Sequence, residues 1–132
     1  MFKTILVPTD GSEFAKRAED VAISMAGKYG AKIVGVYLMD ESFGESFDVL
    51  EDEGKLIVEN LREKAKKADV IMDELIILGD PCKDLITIAR KTKADIVVLG
   101  THGKMGLEKV LVLGSVAESI LKYVDVPILL VK

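Results

Sequence analysis

The chain of 132 residues contains one cysteine and one histidine. A single cysteine, Cys82, excludes a framework of internal disulfide bonds and favours a reducing compartment. The first residues lead directly into an apolar strand pattern, and neither a signal peptide nor a membrane-spanning stretch is visible. We therefore expect a cytoplasmic protein. The lone histidine, His102, has no accompanying set of nucleophile, base and orienting group, so a hydrolase triad is not indicated.

Basic residues are not in excess, and two common nucleotide-binding motifs are missing. Lys and Arg number 18 against 22 Asp and Glu, which leaves a net charge of −4 without a basic stripe. Nucleic acid is therefore not expected as a partner. No G-x-G-x-x-G follows the first strand pattern, and no G-x-x-x-x-G-K-[ST] occurs anywhere. The sequence thus supports neither a dinucleotide-binding fold nor a P-loop.

Short apolar runs alternate with segments of helical periodicity along the chain. This pattern predicts five strands separated by four helices, without an internal repeat, in one domain spanning residues 1–132. Such alternation is typical of an α/β fold in which a doubly wound parallel sheet has helices on both faces. The predicted strands are residues 4–7, 32–38, 74–77, 94–99 and 126–131.

Residues 40–53 are unusually rich in Asp and Glu. Their spacing matches no calcium-binding loop. A cation site is therefore not indicated, and we expect a solvated, mobile connection between the second strand and the second helix.

Two glycine-containing segments, residues 100–103 and 114–118, follow the fourth strand and open the last helix. Backbone N–H groups at such a position, with the partial positive charge of a helix N-terminus, suit a phosphate group. The glycine at 114 is expected to adopt a positive φ. The alternative is that Ser115 and Glu118 form a capping box, which satisfies these N–H groups without a ligand.

A doubly wound sheet reverses its direction once, and the reversal creates a crevice between two strand ends. We place this crevice between strands one and four, so that residues 8–12 face residues 100–103. Asp10 is then a candidate ligand for a ribose hydroxyl or a metal ion. The alternative is that Asp10 or Ser12 only caps the first helix, while Gly11 makes the turn.

The sequence resembles the universal stress protein family over essentially the whole chain. The resemblance is carried by ILVPTDGS at residues 5–12, GDP at 79–81, GTHG at 100–103, GSVAE at 114–118 and VPILLV at 126–131. It implies a sheet of strand order 3-2-1-4-5 and a homodimer. In the branch of the family that carries both glycine segments, it also implies ATP, or ADP or AMP, bound in the crevice.

The resemblance also implies roles for individual residues. It places Thr9 and Asp10 near the ribose and a metal ion such as Mg²⁺, with Asp10 as the metal ligand. Pro8, Leu38 and Leu99 would line the adenine. Phosphate and ribose contacts would come from Gly100, His102, Gly103, Gly114, Ser115, Val116 and Ala117. No catalytic residue is implied, because no general base stands beside the phosphates, and we expect at most slow hydrolysis.

One spacing departs from the family's pattern, which is Gly-x2-Gly-x9-Gly-[Ser/Thr]. Here ten residues, 104–113, separate Gly103 from Gly114. An extra residue in a loop costs little, whereas within a helical turn it rotates everything beyond it by about 100°. We expect it to bulge within residues 110–113. Two functions remain open: a nucleotide-dependent stress regulator with an unidentified protein partner, or a nucleotide-free dimeric stress or chaperone-like protein.

The last predicted strand indicates how two copies would meet. Residues 128–131 are apolar throughout, and this strand lies at an edge of the expected sheet. Pro127 stands at its start, where a missing N–H is tolerated. An unpaired apolar edge invites aggregation, so pairing with the same strand of a second copy is expected.

Overall fold

The computed structural model describes residues 2–103 and 113–132. Strands and helices alternate along it, as the apolar pattern predicts. The strands are β1 (Thr4–Pro8), β2 (Lys32–Met39), β3 (Met72–Leu78), β4 (Ile96–Gly100) and β5 (Ile128–Val131). The helices are α1 (Glu13–Tyr29), α2 (Phe47–Lys67), α3 (Pro81–Lys91) and α4 (Ser115–Tyr123), with a short 3-10 helix at Glu41–Phe43.

The five strands form one parallel sheet in the order β3-β2-β1-β4-β5. The central strand β1 pairs with β2 on one side, with Ile5 opposite Ile33, and with β4 on the other, with Ile5 opposite Ile96. The expected α/β class and the strand order 3-2-1-4-5 are therefore confirmed. Strands β2 and β3 are added on one side of β1, and β4 and β5 on the other. Because the order of the strands reverses at β1, the carboxyl ends of β1 and β4 border a crevice.

Apolar side chains fill the space on both faces of the sheet. Ile5 and Val7 of β1 belong to a buried cluster with residues of α1 and α2, whereas Leu6 belongs to a second cluster with residues of α3 and α4. This alternation follows from the two-residue period of a strand. Within the residues that the structure describes, no helix is long and apolar enough to cross a membrane.

The expectation of a mobile connection over residues 40–53 is wrong. The 3-10 helix occupies part of this stretch, and α2 already begins at Phe47. Ser46 caps α2 by accepting a hydrogen bond from the N–H of Val49, and Asp48 stands in the first turn, where a carboxylate favours the helix dipole. Leu50 is buried against the core. The cap at Ser46 and the burial of Leu50 therefore favour a helix here despite the many acidic residues.

Candidate functional site

A cavity of about 620 Å³ opens at the carboxyl ends of the central strands. Its lining includes all twelve residues that the sequence singled out, so the fold brings four separate parts of the chain together. The twelve residues are Pro8, Thr9 and Asp10 at and just after the end of β1, Leu38 in β2, Leu99, Gly100, His102 and Gly103 at the end of β4, and Gly114, Ser115, Val116 and Ala117 at the start of α4.

The turn between β1 and α1 forms one wall of this cavity. Gly11 adopts a φ of 77°, a left-handed conformation that glycine permits at little cost. Ser12 caps α1 by accepting a hydrogen bond from the N–H of Ala15 at 3.3 Å. Asp10 Oδ1 accepts from the N–H of Ser12 at 2.9 Å. The capping role thus belongs to Ser12, while Asp10 stabilises the turn that precedes the helix.

Asp10 also reaches the opposite wall. A Cβ atom added to Gly103 would lie only 2.7 Å from Asp10 Oδ2. The ends of β1 and β4 therefore approach one another closely, which confirms the predicted position of the crevice. A carboxylate oxygen is therefore present in the crevice beside Gly103, where an added side chain would displace it.

The segment that opens α4 lies against the end of β4. Gly114 donates its N–H to the carbonyl of Thr101 at 2.8 Å, and a Cβ atom on Gly114 would stand 3.6 Å from the nitrogen of Gly103. The two glycine segments are therefore in contact despite the ten residues between them. The expected bulge falls largely on residues 110–112, which lie outside the described residues.

The alternative of a capping box at Ser115 and Glu118 is wrong. Gly114 is the N-cap, Ser115 is the first helical residue, and no side chain caps the helix within the described residues. Glu118 pairs instead with Lys122 at 3.1 Å on the solvent side. The expected positive φ at Gly114 is wrong too, since its φ is −61°. The lack of a side chain at Gly114 allows its backbone to approach that of residues 101–103, and its own backbone conformation is an ordinary one.

His102 has a buried ring on the cavity wall. Its Nδ1 lies 2.9 Å from Thr101 Oγ1, and the ring centroid is 5.0 Å from that of Phe14 on α1. Packing against Phe14 fixes the ring relative to the turn of residues 100–103. The imidazole of His102 is thereby held beside the backbone of residues 100–103.

Thr9 is buried and engages a residue that sequence reasoning missed. Its Oγ1 donates to Glu19 Oε2 at 2.5 Å and accepts from the N–H of Gly11 at 3.2 Å. Glu19 is itself buried and forms an ion pair with Lys64 of α2. No motif contains Glu19, and the available signal was a carboxylate within the apolar stripe of α1.

The cavity extends beyond the twelve residues towards α2. Tyr37, at the end of β2, donates its hydroxyl to Glu53 Oε2 at 3.4 Å. Burial and the neighbouring Glu53 carboxylate raise the pKa of Tyr37 to about 12, so the phenol stays protonated. Sequence reasoning missed this region because it assigned residues 40–53 to a loop. Further lining residues are Asp40, Phe43, Glu45, Leu50, Asp80, Pro81, Cys82 and Leu85.

The carboxylates of the cavity are not arranged as a metal centre. Within residues 2–103 and 113–132, no group of three or more His, Cys, Asp or Glu side chains could hold a metal ion. A metal ion beside Asp10 would therefore have fewer than three such side chains as ligands among these residues, and a bound ligand would have to supply others.

A model of the universal stress protein family matches residues 1–132. The chain belongs to this family. Universal stress protein MJ0531 of Methanocaldococcus jannaschii is 33% identical, in an alignment that covers 100% of this chain and 83% of that relative. A universal stress protein of Thermus aquaticus is 34% identical over 100% of both chains.

Solved structures of the family match this universal stress protein closely. The protein MJ0577 superposes with a TM-score of 0.90 at 30% identity, over 100% of this chain and 96% of that one. A universal stress protein in complex with cAMP superposes with a TM-score of 0.79 at 26% identity, over 98% of this chain and 96% of that one. The five-stranded parallel architecture is thus the family's own.

Proposed function

We propose that this universal stress protein binds an adenine nucleotide in the crevice between β1 and β4. The observation that carries the proposal is the contact between the two glycine segments, where the N–H of Gly114 meets the carbonyl of Thr101 at 2.8 Å. This contact directs the N-terminus of α4 towards the turn of residues 100–103. Helix N-termini and exposed backbone N–H groups are suited to phosphate.

The parts of a nucleotide have separate places in this crevice. The phosphates would lie along Gly100, Gly103 and the residues that open α4. Asp10, facing Gly103 from the other wall, would accept a hydrogen bond from a ribose hydroxyl and could share a phosphate-bound Mg²⁺. Pro8, Leu38 and Leu99 offer apolar surface to the adenine ring. A family member of similar fold in complex with cAMP supports an adenine nucleotide as the ligand class.

The lining residues favour binding over catalysis. Among the residues assigned to the phosphates, His102 alone has a side chain that can act as a general base, and its ring is held by Thr101 Oγ1, 2.9 Å from Nδ1, and by packing against Phe14, so we expect ATP to be hydrolysed slowly at most. Occupancy of the crevice would stabilise one arrangement of its loops, and a partner that prefers this arrangement would bind the loaded protein better. We therefore propose a nucleotide-dependent regulator of the stress response rather than a nucleotide-free chaperone-like protein.

The proposal is tested by what the purified protein carries. Freshly purified protein is denatured, and the supernatant is analysed for nucleotides by mass spectrometry. Calorimetry of stripped protein with Mg-ATP, ADP, AMP and cAMP then ranks the ligands. We expect an adenine nucleotide to copurify or to bind the stripped protein at one site per chain. Absence of adenine nucleotide in the supernatant together with flat titrations would overturn the proposal.

A further inference from the structure

Glu19 is a charged side chain in the interior, only 2% exposed, on the face of α1 that packs against the sheet. Both of its oxygens are used. Oε2 accepts from Thr9 Oγ1 at 2.5 Å, and Oε1 accepts from Lys64 Nζ at 3.2 Å. Burying a carboxylate is costly even when it is paired, and an apolar side chain at such a position is often no less stable. A contribution to folding stability alone therefore does not explain why a glutamate is buried at this position.

Glu19 determines how the hydroxyl of Thr9 is used. A hydroxyl has one hydrogen and two lone pairs. Because the hydrogen of Thr9 is directed at Glu19, the lone pairs are available to the N–H of Gly11, which lies 3.2 Å away. The backbone N–H of Thr9 is anchored separately to the carbonyl of Val36 at 2.9 Å. The backbone of Thr9 thus ties the turn to the sheet. The Thr9 hydroxyl, which Glu19 orients, holds the turn at Gly11.

Lys64 holds Glu19 in place from the side of α2, since its Nζ lies 3.2 Å from Glu19 Oε1. Its ammonium also contacts Asp20 at 3.1 Å. Burial alone would lower the pKa of Lys64, but its bonds to Asp20 and Glu19 outweigh this and raise the pKa above its ordinary value. The ammonium therefore stays protonated, and the contacts run without a gap from α2 through α1 to the turn after β1.

The residue held by this turn is Asp10. Asp10 Oδ1 accepts from the N–H of Ser12, and Oδ2 stands 2.7 Å from the position of a Cβ on Gly103. A small rotation of the turn would move this carboxylate away from Gly103, because both contacts depend on the backbone of residues 9–12. The position of Asp10 is therefore sensitive to the orientation of the Thr9 hydroxyl.

We propose that Glu19 is a positioning residue for the nucleotide site: through Thr9 it holds the turn that aims Asp10 at the ribose. This inference rests on the proposed function and adds the origin of ribose recognition. Glu19 is not among the residues that line the cavity. Its effect is confined to the part of the ligand that Asp10 contacts, so its loss should erase recognition of the ribose hydroxyls and leave the other contacts in place.

The first test needs no nucleotide. Hydrogen exchange of the Gly11 and Ser12 amides is compared in the wild type, Glu19→Met, Glu19→Gln and, as a matched control, Asp20→Asn, which alters the exposed carboxylate on the same lysine. In Glu19→Met these two amides should exchange about tenfold faster or more, while core amides of β1 stay protected. Glu19→Gln keeps an acceptor for Thr9 and should restore most of the protection, and Asp20→Asn should change little. Unchanged exchange at Gly11 in Glu19→Met would overturn the proposal.

The second test measures recognition of the ribose. Calorimetry compares Mg-ATP with 2′,3′-dideoxy-ATP, which lacks both hydroxyls. The wild type should favour ATP by about tenfold or more, the effect of one lost charge-assisted hydrogen bond. Glu19→Met should bind both about equally. Without Mg²⁺, which removes any contact of Asp10 with a metal, its affinity for the dideoxy compound should match that of the wild type within about twofold. A variant that had lost stability only would weaken both ligands alike.

The outcomes separate the two proposals. If the wild type binds neither compound, the proposed function fails and ribose recognition fails with it. If the wild type favours ATP and Glu19→Met keeps that preference, the function stands and the role of Glu19 is refuted. Should Glu19→Met fold poorly, the double variant Thr9→Val with Glu19→Met removes both buried polar groups, which is close to neutral for stability. It should also bind without ribose preference, and retained preference would refute the role equally.

Discussion

Asp10 and Gly103 follow β1 and β4 on opposite walls of the crevice and approach one another so closely that a Cβ atom on Gly103 would lie 2.7 Å from Asp10 Oδ2. The absence of a side chain at residue 103 thus gives the Asp10 carboxylate its place. The crevice depends on this pair in two ways: the glycine provides space, and the aspartate provides an acceptor.

Substitutions of Asp10 and of Gly103 should therefore weaken nucleotide binding for the same reason, which is the loss of the Asp10 carboxylate from its position. Asp10→Ala removes one charge-assisted hydrogen bond, about 1–3 kcal/mol, or roughly tenfold to a hundredfold in affinity. Gly103→Ala displaces the same carboxylate and should weaken binding by a similar factor. In the Asp10→Ala background, Gly103→Ala should then have little further effect. Calorimetry with Mg-ATP on the four proteins measures this coupling, and strictly additive losses would contradict it.

Gly114 should tolerate larger side chains in the fold but not in the site. Its φ of −61° and ψ of 154° suit any residue, yet a Cβ atom would stand 3.2 Å from the carbonyl oxygen of Thr101 and 3.3 Å from His102 Cα. We expect Gly114→Ala to weaken Mg-ATP binding and Gly114→Val to abolish it, because the methyl groups separate the two glycine segments. Gly27→Ala, where nothing lies within 4 Å, is the matched control. Unchanged titrations for Gly114→Val would show that ATP does not use this segment.

The edge strand β5 should carry the dimer. Val131 packs against the core on the side of α1 and α2, whereas Leu129, on the same face of the strand, is 37% exposed. We expect light scattering at micromolar concentration to give twice the chain mass of 14.4 kDa. Leu129→Lys should produce monomers, since charge on an edge strand opposes pairing. Leu78→Lys, at the exposed end of the opposite edge strand β3, should leave the dimer intact; a monomeric wild type would contradict this arrangement.

Asp95 should make stability depend on pH. Its Oδ2 accepts from the N–H groups of Lys3 at 2.8 Å and Thr4 at 2.9 Å, and these bonds lower the pKa of Asp95 in the folded protein. A carboxyl group whose folded pKa is lowered stabilises the protein fully above its unfolded pKa and loses this effect as pH falls through the folded pKa. Asp95→Asn should therefore be less stable than the wild type at pH 7. Urea unfolding at neutral and acidic pH should show this gap closing, and a constant gap would speak against the mechanism.

The fold was predictable from the sequence because its signals are repeated along the chain. Apolar runs at residues 4–7 and 96–99 indicate strands buried on both faces, and Asp80 followed by Pro81 marks the start of α3, where Asp80 Oδ1 accepts from the N–H of Cys82. Residues 40–53 were predicted to form a connection because they are rich in acidic residues, whereas α2 already begins at Phe47. One buried side chain, Leu50, and the cap at Ser46 determine the helix there instead.

The site was predictable only where residues stand in local motifs. Eleven of the twelve predicted residues lie in three such segments, the twelfth, Leu38, lies in β2, and the topology brings them together. Tyr37, Glu53 and Glu19 were missed because their roles depend on contacts between elements that are distant in sequence. The cap at Ser115 was misjudged for a different reason: the sequence does not reveal that the backbone of Gly114 already has the conformation of an N-cap.

Binding of an adenine nucleotide between the two glycine segments can be followed through the backbone amide signals while Mg-ATP is added to the stripped, isotope-labelled protein. We expect saturable shifts of the Gly100, Gly103, Ser115 and Val116 amides together with that of Asp10, while amides at the exposed edge of β3 stay unchanged. Saturating Mg-ATP that leaves these amides unmoved, or that shifts a different surface, would contradict binding between these segments.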